Sequence, residues 1–378
     1  MAKLLTNAVV LNQDFVFERK DVAIKEGKFC DVRDLPSDYE IIDLDGKTVV
    51  PGLVDIHTHG CLGLDSCDCE NGDEINKMRN FYASHGVTTY LATVTTTSKE
   101  ETLRSIRLLT EESDKNCGAN IGGIHMEGPY FSDSRRGAQN PEHIRLPDIN
   151  EFDKLYDEAC GKLKLISVAP ELSGAYEFIN HVSKKCRVSM GHTDADYDTG
   201  CEAIRNGASV MTHTFNAMRP LLHRAPGAVG AALDNSIYCE FICDGFHINE
   251  AIIRLMYRLL GDERMLLISD SIRAAGMPDG EYSLAGLPFF VKNGKAHLSD
   301  GTIAGSTVTL FDCAINAIKF GIPAESAFKM ASLTAAKACR IDNVCGSINV
   351  GKRADLLILD NSYNLEKIII RGNFYKQE

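Results

Sequence analysis

The sequence predicts an α/β chain: a (β/α)8 TIM barrel with a small β-sandwich domain built from both chain ends. Three observations predict it. Through the centre, short apolar β-rich runs alternate with helical patterns, the signature of parallel βα units. Eight such runs can be counted. Both ends of the chain instead read as short strands and turns.

At the N-terminal end, Val22-Ala23-Ile24-Lys25 reads as a strand and Glu26-Gly27-Lys28 turns the chain. The C-terminal end is alike, with an apolar run at 354–359, a turn near Asp360-Asn361, and a second run at 367–371. Residues 1–50 and 345–378 are therefore assigned to the small sandwich, and 51–344 to the barrel. The eight barrel candidates are 49–57, 88–94, 121–126, 164–168, 187–190, 209–212, 238–243 and 265–269. One helix start is explicit: Ser98-Lys99-Glu100-Glu101 fits a capping box, with Leu103, Ile106 and Leu109 on one face. No fixed-period repeat, low-complexity tract or linker interrupts the chain.

With 378 residues, 44% of them hydrophobic, the chain can bury a barrel-sized core and a smaller one. A net charge of −12 argues against a nucleic-acid or anionic-membrane surface. An anionic substrate would need a local cluster of cations or backbone N–H groups. The 13 cysteines form no disulfide framework, so reduced thiols and a cytoplasmic location are expected. The opening residues lack the apolar stretch of a secretory leader, and no run reaches the roughly 18 apolar residues of a membrane helix. Cys61, Cys67 and Cys69 crowd one loop, but no second pair stands at zinc-finger spacing.

The chemistry lies in the residues just past each run. His57-Thr58-His59 closes the first, and residues i and i+2 of a strand share a face. Thr95-Thr96, Glu127-Gly128-Pro129, Pro170-Glu171, Gly191-His192, His213-Thr214-Phe215-Asn216, Asp244-Gly245-Phe246-His247 and Asp270-Ser271 close the others. In a barrel all these ends ring one mouth. Loops ending strands are usually polar, but that alone does not put histidine or carboxylate after seven of eight runs.

His57, His59, Glu127, His192 and His213, with Asp270 alongside, are assigned to one or two divalent ions, Zn2+ first and Fe2+ or another divalent ion as the alternative. Glu127 has two oxygens and suits a bridge. Asp270 is placed as the acid/base that takes a proton from water and returns it to a leaving nitrogen. His247 is placed as a hydrogen-bond donor to a carbonyl oxygen. His125, two residues before Glu127, is assigned to the layer beneath. His85, His143, His181 and His297 have no partner pattern. Arg219, His223 and Arg224 share a loop that is either an anion clamp or a solvated basic loop. Arg135-Arg136 is similar. The small residues of Ile303-Ala304-Gly305-Ser306 permit close backbone approach to a ligand, as does an ordinary helix start.

The stretch from Pro51 to Gly60 resembles the opening signature of the amidohydrolase superfamily. Five narrower segments resemble, in this order, the N-acetylglucosamine-6-phosphate deacetylase family: His125-Met126-Glu127-Gly128-Pro129, Gly191-His192-Thr193, Thr212 to Met218, Asp244-Gly245-Phe246-His247, and Ile303 to Ser306. The match covers nearly the whole chain. It implies hydrolysis of an acetamide to glucosamine 6-phosphate and acetate, usually by a homodimer. It implies that Glu127, His192 and His213 hold a principal ion, that His57 and His59 support a second, and that Asp270 transfers the proton. Asn216, Ala217 and Arg224 match a phosphate-binding segment whose arginine comes from the partner subunit. Ala138, His247 and the backbone of Ile303, Ala304 and Gly305 match other sugar contacts, and Gln139 is a further substrate-binding candidate.

Two residues depart from the pattern. Gln139 stands where many relatives have histidine; it can hydrogen-bond a sugar hydroxyl but cannot act as an acid. Ser271 stands where alanine is usual. The first leaves the galacto epimer open. Other amidohydrolase reactions, such as ring opening or deamination, would leave Arg224 without a phosphate. A non-catalytic oligomeric scaffold would have no need for Asp270 and a full ligand set.

Overall fold

The computed structural model describes residues 2–376. Eight parallel strands succeed one another in chain order: β1 (Leu53–Thr58), β2 (Val87–Val94), β3 (Asn120–Glu127), β4 (Leu163–Val168), β5 (Arg187–Met190), β6 (Ala208–Met211), β7 (Tyr238–Ile242) and β8 (Met265–Ile268). Every neighbouring pair is parallel. Strands of this kind are covered on both faces, so they read as continuous apolar runs; all eight residues of β2 are buried. At the seam, the Asp270 N–H donates to the His57 carbonyl at 2.9 Å and the His59 N–H to the Ser271 carbonyl at 2.8 Å. The Ser269 hydroxyl donates to Asp55 Oδ2 at 2.5 Å, so a buried carboxylate helps to stitch β8 to β1.

Val54, Ile56, Leu91, Leu165, Val210, Ile242, Leu266 and Ile268 fill the barrel interior. Residues of the helix Leu333–Ala338 and Ile341 plug its lower end. Above them lies a polar layer. His125 Nε2 is 2.9 Å from Ser167 Oγ, and the Thr212 hydroxyl lies 2.8 Å from Ser167 Oγ and 2.6 Å from Ser189 Oγ. His125 thus sits beneath the mouth, as its register with Glu127 required.

The run read as one strand over 49–57 is two. Thr48–Pro51 pairs with Leu356–Leu359 and Val9–Leu11 in a six-stranded sheet, and β1 starts after Gly52. A Cβ on Gly52 would lie 2.2 Å from Thr88 Oγ1, so only glycine carries the chain through this joint. β1 also bulges: Asp55 and Thr58 face Tyr90 and Ala92, three steps against two. His57 ends up facing the interior although Ile56 does so too, and His59 lies one residue past the strand.

The six-stranded sheet faces a four-stranded one, Lys28–Cys30, Val22–Lys25, Lys3–Thr6 and Glu40–Asp43 in spatial order. Leu5, Val10, Ile24, Phe29, Val49, Leu356 and Ile358 pack between them. The alternate residues Val50, Leu357 and Leu359 belong to the barrel-side core, so one strand serves two cores with a period of two.

An element not anticipated from the sequence comes after β8: an antiparallel sheet of Gly280–Leu284, Leu287–Lys292 and Lys295–His297. Its turns, Ala285-Gly286 and Asn293-Gly294, all have positive φ, and Asn-Gly between short apolar runs is the signal that marks it. The capping box is present: the Ser98 hydroxyl accepts from the Glu101 N–H, and Glu101 accepts from the Ser98 N–H, at the start of the helix Lys99–Ser113. Among the described residues no helix is long and apolar enough to cross a membrane.

Candidate active site

All six candidate ligands reach the barrel mouth. Glu127 is the last residue of β3, and His192, His213 and Asp270 each stand two residues past a strand end. These last three have φ of 46°, 24° and 50°. A left-handed backbone at three non-glycine residues is strain gathered where side chains are turned into one centre.

The six sort into two triads, Glu127 with His192 and His213, and His57 with His59 and Asp270; within each, the nearest ligand atoms lie within 4.8 Å of one another. Glu127 Oε1 is 3.1 Å from His192 Nε2 and 3.0 Å from His213 Nε2, and those nitrogens are 3.1 Å apart. Asp270 Oδ1 is 3.5 Å from His57 Nε2 and 3.3 Å from His59 Nε2. Glu127 lies between the triads, 3.5 Å from His57 Nε2 through Oε1 and 3.4 Å from His59 Nε2 through Oε2.

The ring nitrogens are aimed by their other contacts. His192 Nδ1 donates to the Arg135 carbonyl at 3.0 Å, which leaves the neutral ring's lone pair on Nε2. His57 Nδ1 lies 3.0 Å from Glu240 Oε2, and His57 Nε2, fully buried, has no hydrogen-bond partner among the described residues. An unspent buried nitrogen facing two carboxylates is what a cation would satisfy, so the residues present fit a divalent ion.

Charge obeys the same logic. Burial works against ionisation of Glu127, yet the His57 charge and the adjacent His192 and His213 imidazoles hold its carboxyl well below the usual range. Asp270 is likewise lowered, against burial, by His57, His59 and His213. Burial pulls His57 down, but Asp270, Glu127 and Glu240 together raise it well above its ordinary value. His59 is raised to about 9 by Asp270 and Glu127, again against burial. Negative charge is concentrated here and draws positive charge in.

A cavity of about 250 Å³ opens above the triads. His59, Glu127, His192, His213, Asp270, Ala138, Gln139, Asn216, Ala217, His247, Ile303 and Gly305 line it, with Thr95, Ile272 and Leu284 also in its wall. The Asp244 carboxylate accepts from His247 Nδ1 at 2.6 Å and from the Phe246 and His247 N–H groups at 2.8 Å, which fixes that ring. Gly305 is locked behind Asp270, since the Ser306 N–H donates to the Asp270 carbonyl at 2.9 Å. A larger groove, about 870 Å³, is lined by residues of both chain ends such as Lys28, Arg353 and Arg371, and gathers no ligand cluster among the described residues.

Four expectations need correction or completion. Ala304 is fully buried behind its neighbours rather than lining the cavity. Gln139 is engaged with protein, because its amide donates to Glu127 Oε2 at 2.6 Å. Arg135 and Arg219 are not free anion clamps: both pair with Asp194, at 2.8 and 2.6 Å. Arg224 is exposed and does not line this chain's own cavity. Glu240 and Asp55 do not stand out in the sequence; their only signal is a carboxylate inside an apolar strand, which costs dearly unless it is paired. Asp244 is conspicuous only as the first residue of the segment that ends in His247.

The amidohydrolase family model matches residues 48–375. The chain is 35% identical to the N-acetylglucosamine-6-phosphate deacetylase of Bacillus subtilis (strain 168), over 98% of this chain and 96% of that protein. It is 31% identical to the N-acetylgalactosamine-6-phosphate deacetylase of Escherichia coli O157:H7, over 98% of this chain and 99% of that one. A mutant N-acetyl-D-glucosamine-6-phosphate deacetylase of Mycobacterium smegmatis, solved in complex with N-acetyl-D-glucosamine-6-phosphate, superposes with a TM-score of 0.89 at 31% identity, covering 99% of this chain and 98% of that one.

Proposed function

The chain belongs to the amidohydrolase family, and from that premise we propose that it hydrolyses N-acetyl-D-glucosamine 6-phosphate to D-glucosamine 6-phosphate and acetate. One observation carries the reading: two ligand triads meet across Glu127 at the floor of a walled cavity.

Glu127, His192 and His213 would hold the principal divalent ion; His57, His59 and Asp270 would hold a second, giving one or two ions per subunit, with Zn2+ first and Fe2+ the alternative. When bound, such an ion supplies a water that ionises near neutral pH and a Lewis acid for the acetamide oxygen. Asp270, held ionised, takes a proton from the attacking water. The carbon–nitrogen bond then breaks, and Asp270 returns that proton to the departing amine nitrogen, so acetate and a free amine result. His247, its Nδ1–H held by the Asp244 carboxylate, would donate Nε2–H as an imidazolium to the acetamide oxygen, where negative charge develops. Asn216 and Ala217 border the cavity where a phosphate would enter, and Ala138, Ile303 and Gly305 shape the sugar's wall.

Arg224 is assigned to the cavity of a partner subunit in a homodimer. Leu221 and Leu222 beside it are 39% and 55% exposed, apolar area that a partner would cover. All 13 cysteines are free, which supports a reducing cytoplasm. The proposed division is 1–50 with 345–378, and 51–344, with its N-terminal joint moved to Gly52 because Thr48–Pro51 is a sandwich strand.

The test is acetate release from a panel of 6-phosphorylated N-acetylhexosamines after reconstitution with zinc. The gluco substrate should be fastest and unphosphorylated sugar much slower. A faster galacto epimer would favour the second reading, which the similarity to the Escherichia coli protein supports. No acetate from either would discard the function.

A further inference from the structure

Gln139 is the residue that the sequence marks as a departure and that the reaction leaves without a task. Its side-chain amide is orientated by two donors: the Thr95 hydroxyl gives Gln139 Oε1 a hydrogen bond at 2.7 Å and the Thr96 N–H one at 3.0 Å. Both lone pairs of that oxygen are then spent, and Nε2 has to point the other way. It meets Glu127 Oε2 at 2.6 Å, a short bond to an ionised acceptor. Gln139 is 5% exposed and Glu127 2%, so water competes little for this contact.

The consequence falls on Glu127's other oxygen. With Oε2 tied down, Oε1 is held toward His192 Nε2 and His213 Nε2. Thr95 is itself fixed, its N–H donating to Cys67 Sγ at 3.0 Å, so the chain Cys67–Thr95–Gln139–Glu127 runs from the loop after β1 across the end of β2 to β3. We infer that Gln139 is a positioning residue for the Glu127–His192–His213 centre, acting on ion affinity through Glu127 and not chiefly on the sugar. This rests on the metal-centre reading of that triad.

The test measures zinc binding directly, by competition with a chromophoric chelator in substrate-free protein, for wild type, Gln139→Leu and Thr95→Val. Outer partners of metal ligands typically set affinity by about 10–100-fold, so Gln139→Leu should weaken zinc binding by that factor. Thr95→Val, which removes one of the two donors and keeps the amide, should weaken it less and in the same direction. At saturating zinc, Gln139→Leu should regain most of its kcat with KM changed by less than about threefold. Unchanged zinc affinity with a raised KM would make Gln139 a sugar contact and overturn the inference alone. If Gln139→Leu does not fold by circular dichroism, Thr95→Val decides by the same criterion. A wild-type protein that takes up no zinc overturns the metal-centre reading together with the inference.

Discussion

Asp270 and Glu240 represent two kinds of carboxylate in one barrel. Asp270 lines the cavity, and the proton role proposed for it is separable from the principal ion, which Glu127, His192 and His213 would hold. Asp270→Asn should keep the principal zinc by elemental analysis while turnover falls about 10²–10⁴-fold in the acetate assay; near-normal turnover would remove it from the mechanism. Glu240 is fully buried on β7 and reaches both triads: its Oε2 lies 3.0 Å from His57 Nδ1 and accepts from the His213 N–H at 3.0 Å. Glu240→Gln keeps an acceptor and should retain most zinc affinity, whereas Glu240→Leu should weaken uptake by about 10–100-fold. Equal affinity in the two variants would deny Glu240 that role. At this scale much was legible. A histidine pair closing an apolar run, and single histidines and carboxylates after others, are chemically conspicuous. Glu240 was not, because one glutamate in a run such as Tyr238-Cys239-Glu240-Phe241-Ile242 looks like a solvated strand face until a partner from β1 appears.

Among elements, the junction at Gly52 shows what a pattern of apolar letters conceals. Residues 49–57 carry one uninterrupted signal, yet the backbone passes from sandwich to barrel in the middle of it. The reason is contact, since the Thr88 side chain occupies the space where a Cβ at 52 would go. Gly52→Ala should cost about 1–3 kcal/mol in denaturant unfolding. Thr88→Ala in the same chain should recover part of that loss. Full additivity of the two substitutions would show that the clash is not the cause. The sheet Gly280–Leu284 to Lys295–His297 escapes a barrel-based reading for another reason: it stands outside the βα rhythm, and its one local signal is the Asn293-Gly294 turn. It nonetheless brings Leu284 to the cavity wall.

For the whole molecule, an ion held by the proposed ligands would link binding to folding. Because the ligands come from five strands, β1, β3, β5, β6 and β8, or from the loops just past them, ion release should lower the melting temperature. At free zinc about 1,000-fold above Kd the linkage is worth about 4 kcal/mol, which for a chain of this length is roughly 5 °C. Calorimetry before and after chelation measures it, and no shift would mean that the triads do not bind an ion in the folded state. Subunit sharing has its own test. Inactive Asp270→Asn and Arg224→Ala chains, mixed, should regain some activity in heterodimers if Arg224 serves the neighbouring cavity, and demonstrated heterodimers without recovery would confine Arg224 to its own chain. The barrel rhythm, the sandwich at the ends and the six candidate ligands were legible in the letters, because periodicity and donor chemistry are local properties. The bulge that turns His57 inward, the bond that commits Gln139 to Glu127 and the burial of Glu240 against His57 were not. Each of these depends on which distant strand end lies opposite, and that is set when the barrel closes.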